Sequence, residues 1–146
     1  MHARLNWAKA APDAYKAMIA LENAVTGSGL EPSLLELIRI RSSQLNGCAF
    51  CLDMHTADAR KRGESERRIY TLSAWRETPF FSERERAALA WTEALTQLAG
   101  HEVSEALYDS VKAQFGDKEM VDLTLAVNAI NSWNRIGVGF GLQPAG

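Results

Sequence analysis

The residues best suited to chemistry fall in one stretch, Glu36 to Gly63, which reads ELIRIRSSQLNGCAFCLDMHTADARKRG. It holds both cysteines of the chain and one of its three histidines. Cys48 and Cys51 form a C-x-x-C pair and His55 follows the second by four residues, so on a helix the three side chains share a face. Asn46-Gly47 marks a break, which predicts that one helix ends near Gly47 and another begins at or close to Cys48. Cysteines in a first helical turn meet unpaired backbone N–H groups and the positive end of the helix dipole, and both favour a thiolate. His55 is placed to take a thiol proton directly or through one water, and an imidazole titrates close enough to neutrality to do so.

Other readings of these residues stay open. Free cysteines are often small buried hydrophobes. Cys48, Cys51 and His55 also make three zinc ligands, with Glu36 or water as a fourth, although no second C-x-x-C or H-x-x-x-H completes a structural site. Glu36 lies three residues after Ser33, the spacing of a capping box. If Pro32 instead takes the first helical position, Glu31 is the cap and Glu36 points inward, where a buried carboxylate needs an imidazole or a water-linked thiol as partner. Arg39 and Arg41 read either as partners for acids across a subunit boundary or as a solvated edge. Asn128, Asn131 and Arg135 form a stripe suited to interhelical hydrogen bonds. Trp75, Trp91 and Trp133 read as core or interface anchors, and His2 and His101 as surface residues.

The elements that must position the stretch are helical throughout, since apolar residues recur at helical spacing and no run alternates as a half-buried strand does. Helices are expected over about 12–25, from near Pro32 to Gly47, 48–61, 65–75, from Ser82 to Gly100, 104–115 and 118–136, preceded by an arm carrying Leu5 and Trp7. Ser82 and Glu85 have capping-box spacing. The glycine-rich tail from Gly137 should be irregular. The second and last helices are apolar on most sides, more surface than one small core obviously absorbs, which points to a subunit interface.

At 146 residues, 47% hydrophobic, 23% charged and with a net charge of −2, the chain fits one domain over residues 1–146. No basic footprint suggests nucleic acid. No apolar run approaches the roughly 20 residues that cross a membrane, and the N-terminus lacks a signal peptide's apolar segment. The expected compartment is the cytoplasm, where a C-x-x-C pair suggests redox or metal chemistry more than a permanent staple.

At Glu36, Cys48, Cys51 and His55 the chain resembles the alkylhydroperoxidase D-like (AhpD-like) branch of the carboxymuconolactone decarboxylase superfamily. The branch signature is a glutamate twelve residues before the first cysteine, then C-x-x-C, then a histidine four residues on. Looser similarity runs through SERERAALAWTEALTQLAG and NSWNRIGVGF. The resemblance implies an all-α bundle of six or seven helices, assembled as a homotrimer or homohexamer. It also implies a peroxidase in which Cys51 is peroxidatic, Cys48 resolving, and Glu36 with His55 a proton relay. No metal or organic cofactor is implied. The substrate would be a hydroperoxide, and a lipoyl-bearing or thioredoxin-like protein would return the electrons. Two departures matter: Phe50 stands where the founding peroxidases have a second histidine, and the chain has one core copy where the founding type is duplicated. The decarboxylase branch lacks the cysteine pair. A redox-sensing oligomer with little turnover, or a different enzyme on the same scaffold, are the competing functions.

Overall fold

The computed structural model describes residues 2–146, and every regular element among them is helical. The helices are α1 (Trp7–Ala10), α2 (Pro12–Thr26), α3 (Pro32–Asn46), α4 (Ala49–Lys61), α5 (Glu66–Thr71), α6 (Glu83–Thr96), α7 (Glu105–Lys112) and α8 (Asp117–Phe140), and a 3-10 segment, Leu72–Glu77, continues α5. The element beyond the expected seven is α1, a single turn in the N-terminal arm. The Asn6 side chain caps it by accepting the Lys9 N–H at 3.1 Å.

Helix α3 lies between two apolar clusters and supplies both. Leu34, Leu35 and Ile38 pack with Val25 of α2, Trp91 of α6 and Leu123, Val127 and Ile130 of α8. Leu37 and Ile40 face a second cluster with Ala59 of α4, Leu72, Trp75, Phe81 and Leu89. Each leucine or isoleucine buried this completely contributes about 1.5–3 kcal/mol. The apolar surface of α3 and much of that of α8 is thus taken up inside the chain. It does not by itself argue for a subunit interface, although Val121 and Val138 of α8 remain exposed.

A polar seam fixes how the long helices meet. The Asn46 amide donates to Asn131 Oδ1 at 2.9 Å and Asn134 Oδ1 at 3.0 Å, and Asn134 donates to Ser43 Oγ at 2.9 Å. Asn131 also donates to Thr96 Oγ1 at 3.0 Å, which bonds Ser42 at 2.9 Å. No buried side-chain polar atom of the seam lacks a partner, so burying it costs little and it holds α3, α6 and α8 in one register. Asn131 does the interhelical bonding expected of its stripe, whereas Asn128 and Arg135 are exposed and the stripe missed Asn134.

The turn between α3 and α4 is fixed by Gly47, at φ 66° and ψ 37°. Its N–H bonds Gln44 O and the Cys48 N–H bonds Ser43 O at 3.0 Å, the paired closure of a Schellman turn. Cys48 is in turn the N-cap of α4. One helix therefore stops and the next starts within two residues.

Several boundaries differ from expectation. The helix expected over 65–75 becomes α5 plus the 3-10 segment, kinked at Ala74 (φ −122°, ψ 33°); the kink accompanies the burial of Trp75, whose Nε1 donates to Glu93 at 2.6 Å. Helix α6 stops at Thr96, short of Gly100, and α7 at Lys112, short of Phe115. Helix α8 runs on to Phe140, so Gly137 and Gly139 are helical, and the irregular tail begins only after Gly141 reverses the chain at φ 65°.

Gly47→Ala should lower stability by about 1–2 kcal/mol, the cost of a Cβ in the left-handed region. Gly139→Ala, helical with nothing within 4 Å of an added Cβ, should gain about 0.5–1 kcal/mol. Urea unfolding of both variants checks the opposite signs.

Candidate active site

The Schellman turn delivers Cys48 to the start of α4, and Cys51 follows in the first turn. The two are joined as a disulfide, with Cα atoms 5.3 Å apart. Cys48 Sγ accepts the Cys51 N–H at 3.3 Å, the bond an N-cap side chain makes to satisfy an unpaired helix donor. Both cysteines are buried. This differs slightly from the expectation that both lie within the first turn: Cys48 is the cap itself.

His55 projects from the second turn of α4 and is buried. Its Nδ1 lies 3.1 Å from Glu36 Oε2. Of the two readings of Glu36, the inward one holds, because Pro32 takes the first position of α3 and Glu31 is its N-cap. Glu36 is only 3% exposed, and Arg39 Nη1 donates to its other oxygen at 3.0 Å. Arg39 is not a solvated edge, and its acidic partners lie within the chain. It is buried between Glu36 and Glu22, donating to the latter at 2.6 Å. Trp133 Nε1 donates to the second oxygen of Glu22 at 3.1 Å. Arg41 likewise turns inward, 3.6 Å from Glu93.

The electrostatics of this cluster fix the histidine tautomer. Burial raises the Glu36 carboxyl, but the hydrogen bond and charge of His55, then of Arg39, outweigh it and hold the pKa below 4.5. Glu36 is therefore an acceptor at neutral pH, so Nδ1 of His55 carries the proton between them. In the neutral ring that tautomer puts the lone pair on Nε2, which has no protein hydrogen bond among the described residues and is the nitrogen a general base would use.

Cys51, His55 and Glu36 line one cavity of about 500 Å³, with Arg39, Asp58 and Arg62 at its polar end. Cys48 does not line it. Two criteria thus select different sulfurs: the N-cap bond favours a thiolate on Cys48, whereas access favours reaction at Cys51. Among the described residues, Glu36, His55 and Asp58 are the one group whose possible ligand atoms lie within 4.8 Å of one another. The Arg39 guanidinium bonded to Glu36, and Arg62 at 4.0 Å from it, oppose a cation there, and the sulfurs of the alternative zinc set are tied to each other.

Sequence reasoning missed Glu22, Asp58, Arg62 and Gly137, and no local signal marks them. Gly137 of α8 is where the long helix passes the cysteines. A methyl added there would lie 2.8 Å from Cys48 Sγ and 3.6 Å from Cys51 Sγ.

That contact bears more on the closed pair than on the open one, because a free Cys48 thiol can rotate away while a bonded sulfur cannot. Gly137→Ala should therefore raise the reduction potential of the pair, by about 30 mV for each 1.4 kcal/mol of clash, as read by titration against a thiol buffer. A second expectation concerns acid. A carboxyl whose folded pKa is depressed adds stability that is complete above its unfolded value near 4.5 and is lost as the pH falls through the lower folded value. Glu36→Gln should remove that share, so the stability gap between wild type and variant narrows from pH 6 toward pH 3 in urea unfolding.

The carboxymuconolactone decarboxylase family model matches residues 12–94. The chain is 45% identical to the uncharacterised protein YdfG of Bacillus subtilis over 145 residues, covering 99% of both. A crystal structure from Agrobacterium tumefaciens, a protein of unknown function suggested to be the antioxidant defence protein AhpD, superposes with a TM-score of 0.95 at 47% identity over 99% of both chains. The alkylhydroperoxidase AhpD core of a peroxidase-related protein from Ralstonia eutropha shares the fold, with a TM-score of 0.80 at 24% identity, over 92% of this chain and 72% of that one. Matched over more than half its length by the family model and over nearly all of it by these relatives, the chain belongs to the carboxymuconolactone decarboxylase family, in its AhpD-like branch.

Proposed function

We propose that the protein is a thiol-dependent peroxidase that reduces hydroperoxides through Cys51 and Cys48, with His55 and Glu36 as proton relay. One observation carries the reading: the cavity-lining sulfur of a disulfide-forming pair meets there an imidazole whose Nδ1 is held by a buried carboxylate. In the reduced enzyme, His55 Nε2 takes the Cys51 proton, directly or through water. The thiolate attacks the peroxide, the O–O bond breaks, and Cys51 becomes a sulfenic acid while the departing alkoxide takes the proton from His55. Cys48, favoured as thiolate at the N-cap, attacks the sulfenic sulfur. The disulfide closes and the sulfenic hydroxyl leaves as water with the proton that Cys48 gave up, so two thiols have supplied the two electrons.

Reduction reverses the roles. An external dithiol, from a lipoyl-bearing or thioredoxin-like protein, attacks Cys51 from the cavity, and Cys48 departs as the better-stabilised thiolate. The cysteines carry the electrons without an organic cofactor. Phe50 adds no proton donor, so turnover should be modest. Assembly as a homotrimer or homohexamer and a cytoplasmic site of action belong to the same reading; no helix among the described residues is long and apolar enough to cross a membrane.

The test is peroxide consumption by the reduced protein, with free thiols followed. Wild type should lose two thiols per peroxide. Cys51→Ser should lose none, Cys48→Ser should stop at a sulfenic acid that dimedone traps, and His55→Ala should slow the first step by about 10²-fold or more. Turnover that survives Cys51→Ser would sink the peroxidase reading in favour of another reaction on this scaffold. Thiols that oxidise only with a change of assembly mass would favour a redox sensor.

A further inference from the structure

The outer part of the cavity has a chemistry that the proton relay does not use. Its wall is aromatic and apolar: Trp7, Tyr15, Phe50, Met54, Trp133 and Leu142 line it. Trp7 is the keystone of that wall, its ring 5.5 Å from that of Tyr15 and 5.9 Å from that of Trp133, edge-on to the latter. It belongs to the N-terminal arm, which is fastened to the end of α8. The Arg4 N–H bonds Phe140 O at 2.8 Å, and the Arg4 guanidinium donates to Gly139 O at 2.9 Å and Val138 O at 3.3 Å. The cation caps helix carbonyls that have no partner within the helix.

The polar end offers no net positive charge. Arg39 is bonded to both Glu22 and Glu36, Arg62 stands 4.0 Å from Glu36, and Asp58 is a third acid on the wall. With three carboxylates against two guanidinium groups, an anionic ligand meets no net attraction there. Aromatic walls of this kind bind apolar groups through area and ring-edge contacts.

We infer that the outer cavity binds the aryl or comparably bulky uncharged group of an organic hydroperoxide, with Trp7 as a specificity-determining residue. The inference rests on the peroxidase reading for the hydroperoxide end, and on the cavity alone for the aryl end. Hydrogen peroxide leaves the wall unused, and a fatty-acid hydroperoxide brings to it a carboxylate for which the apolar wall offers no cation. Trp7 touches the substrate's remote group and not the reacting atoms, so its effect falls on binding and not on the sulfur chemistry.

The experiment has two arms. In the first, reduced wild type, Trp7→Ala and Trp7→Phe are mixed with cumene hydroperoxide, hydrogen peroxide and linoleic acid hydroperoxide, and thiol loss is timed. Wild type should react fastest with cumene hydroperoxide. Trp7→Ala should lose about tenfold on that substrate, the effect of one aromatic contact, and stay within about twofold on hydrogen peroxide, with Trp7→Phe recovering most of the loss. Equal losses on all three peroxides, or a wild-type preference for hydrogen peroxide or the charged hydroperoxide, would overturn the inference. In the second arm, the oxidised protein is titrated with 2-phenyl-2-propanol and tryptophan fluorescence is read. Saturable binding by wild type, weakened in Trp7→Ala, supports the aryl site even if no peroxide is consumed; absence of binding refutes it even if peroxide is.

Discussion

A carboxylate has been folded into the protein interior, and much of the arrangement follows from keeping it charged there. Isolated, the Glu36 carboxylate would be too costly to bury. It is tolerated because Arg39 and His55 each take one of its oxygens. Those bonds tie α3 to α4. The second face of Arg39 reaches Glu22 on α2, and Glu22 reaches Trp133 on α8. Four helices are thus joined through one chain of charge-assisted hydrogen bonds, and its open end is the imidazole edge that shares a cavity with Cys51.

The two cysteines occupy different physical environments three residues apart. Gly47 in the left-handed region lets α3 end and α4 begin almost at once, which makes Cys48 the cap and leaves Cys51 in the first turn. The cap sulfur receives a backbone N–H and the field of the helix, whereas the other sulfur meets the cavity. An attacking sulfur needs access, and a resolving or departing sulfur needs a stabilised anion. The proposed division of roles therefore requires no further catalytic group near Cys48, and the glycine at position 137 leaves room for its sulfur against α8.

The same economy shows in the core. Helix α3 is apolar on two sides because it has a cluster on each side, and the polar residues at its C-terminal end, Ser42, Ser43 and Asn46, are absorbed by Thr96, Asn131 and Asn134. A helix with that pattern reads as surplus apolar surface when its neighbours are unknown. Inside the fold the surplus is accounted for, so the case for an oligomer rests on family likeness and not on exposed area.

Local chemistry made much of this legible beforehand. Periodicity marks seven helices because burial selects one face at a time; Asn46-Gly47 marks the junction because only a residue without a Cβ is at ease there. The spacing of Cys48, Cys51 and His55 marks a reactive face because a helix fixes which side chains share a side. Whether Glu36 capped its own helix or pointed inward was undecided by spacing, since both fit the same residues, and the tertiary structure chose by supplying Arg39 and His55 as partners. Gly137 looked like the start of a loose tail, because glycine weakens an isolated helix by about 1 kcal/mol; contact with the cysteine pair and the rest of α8 outweighs that. Arg39, Glu22 and Trp133 come from three separate helices, and Trp7 from an arm latched by Arg4 to the far end of the chain. No periodicity within one segment can announce a contact across 111 or 135 residues, because such contacts exist only once the helices have packed.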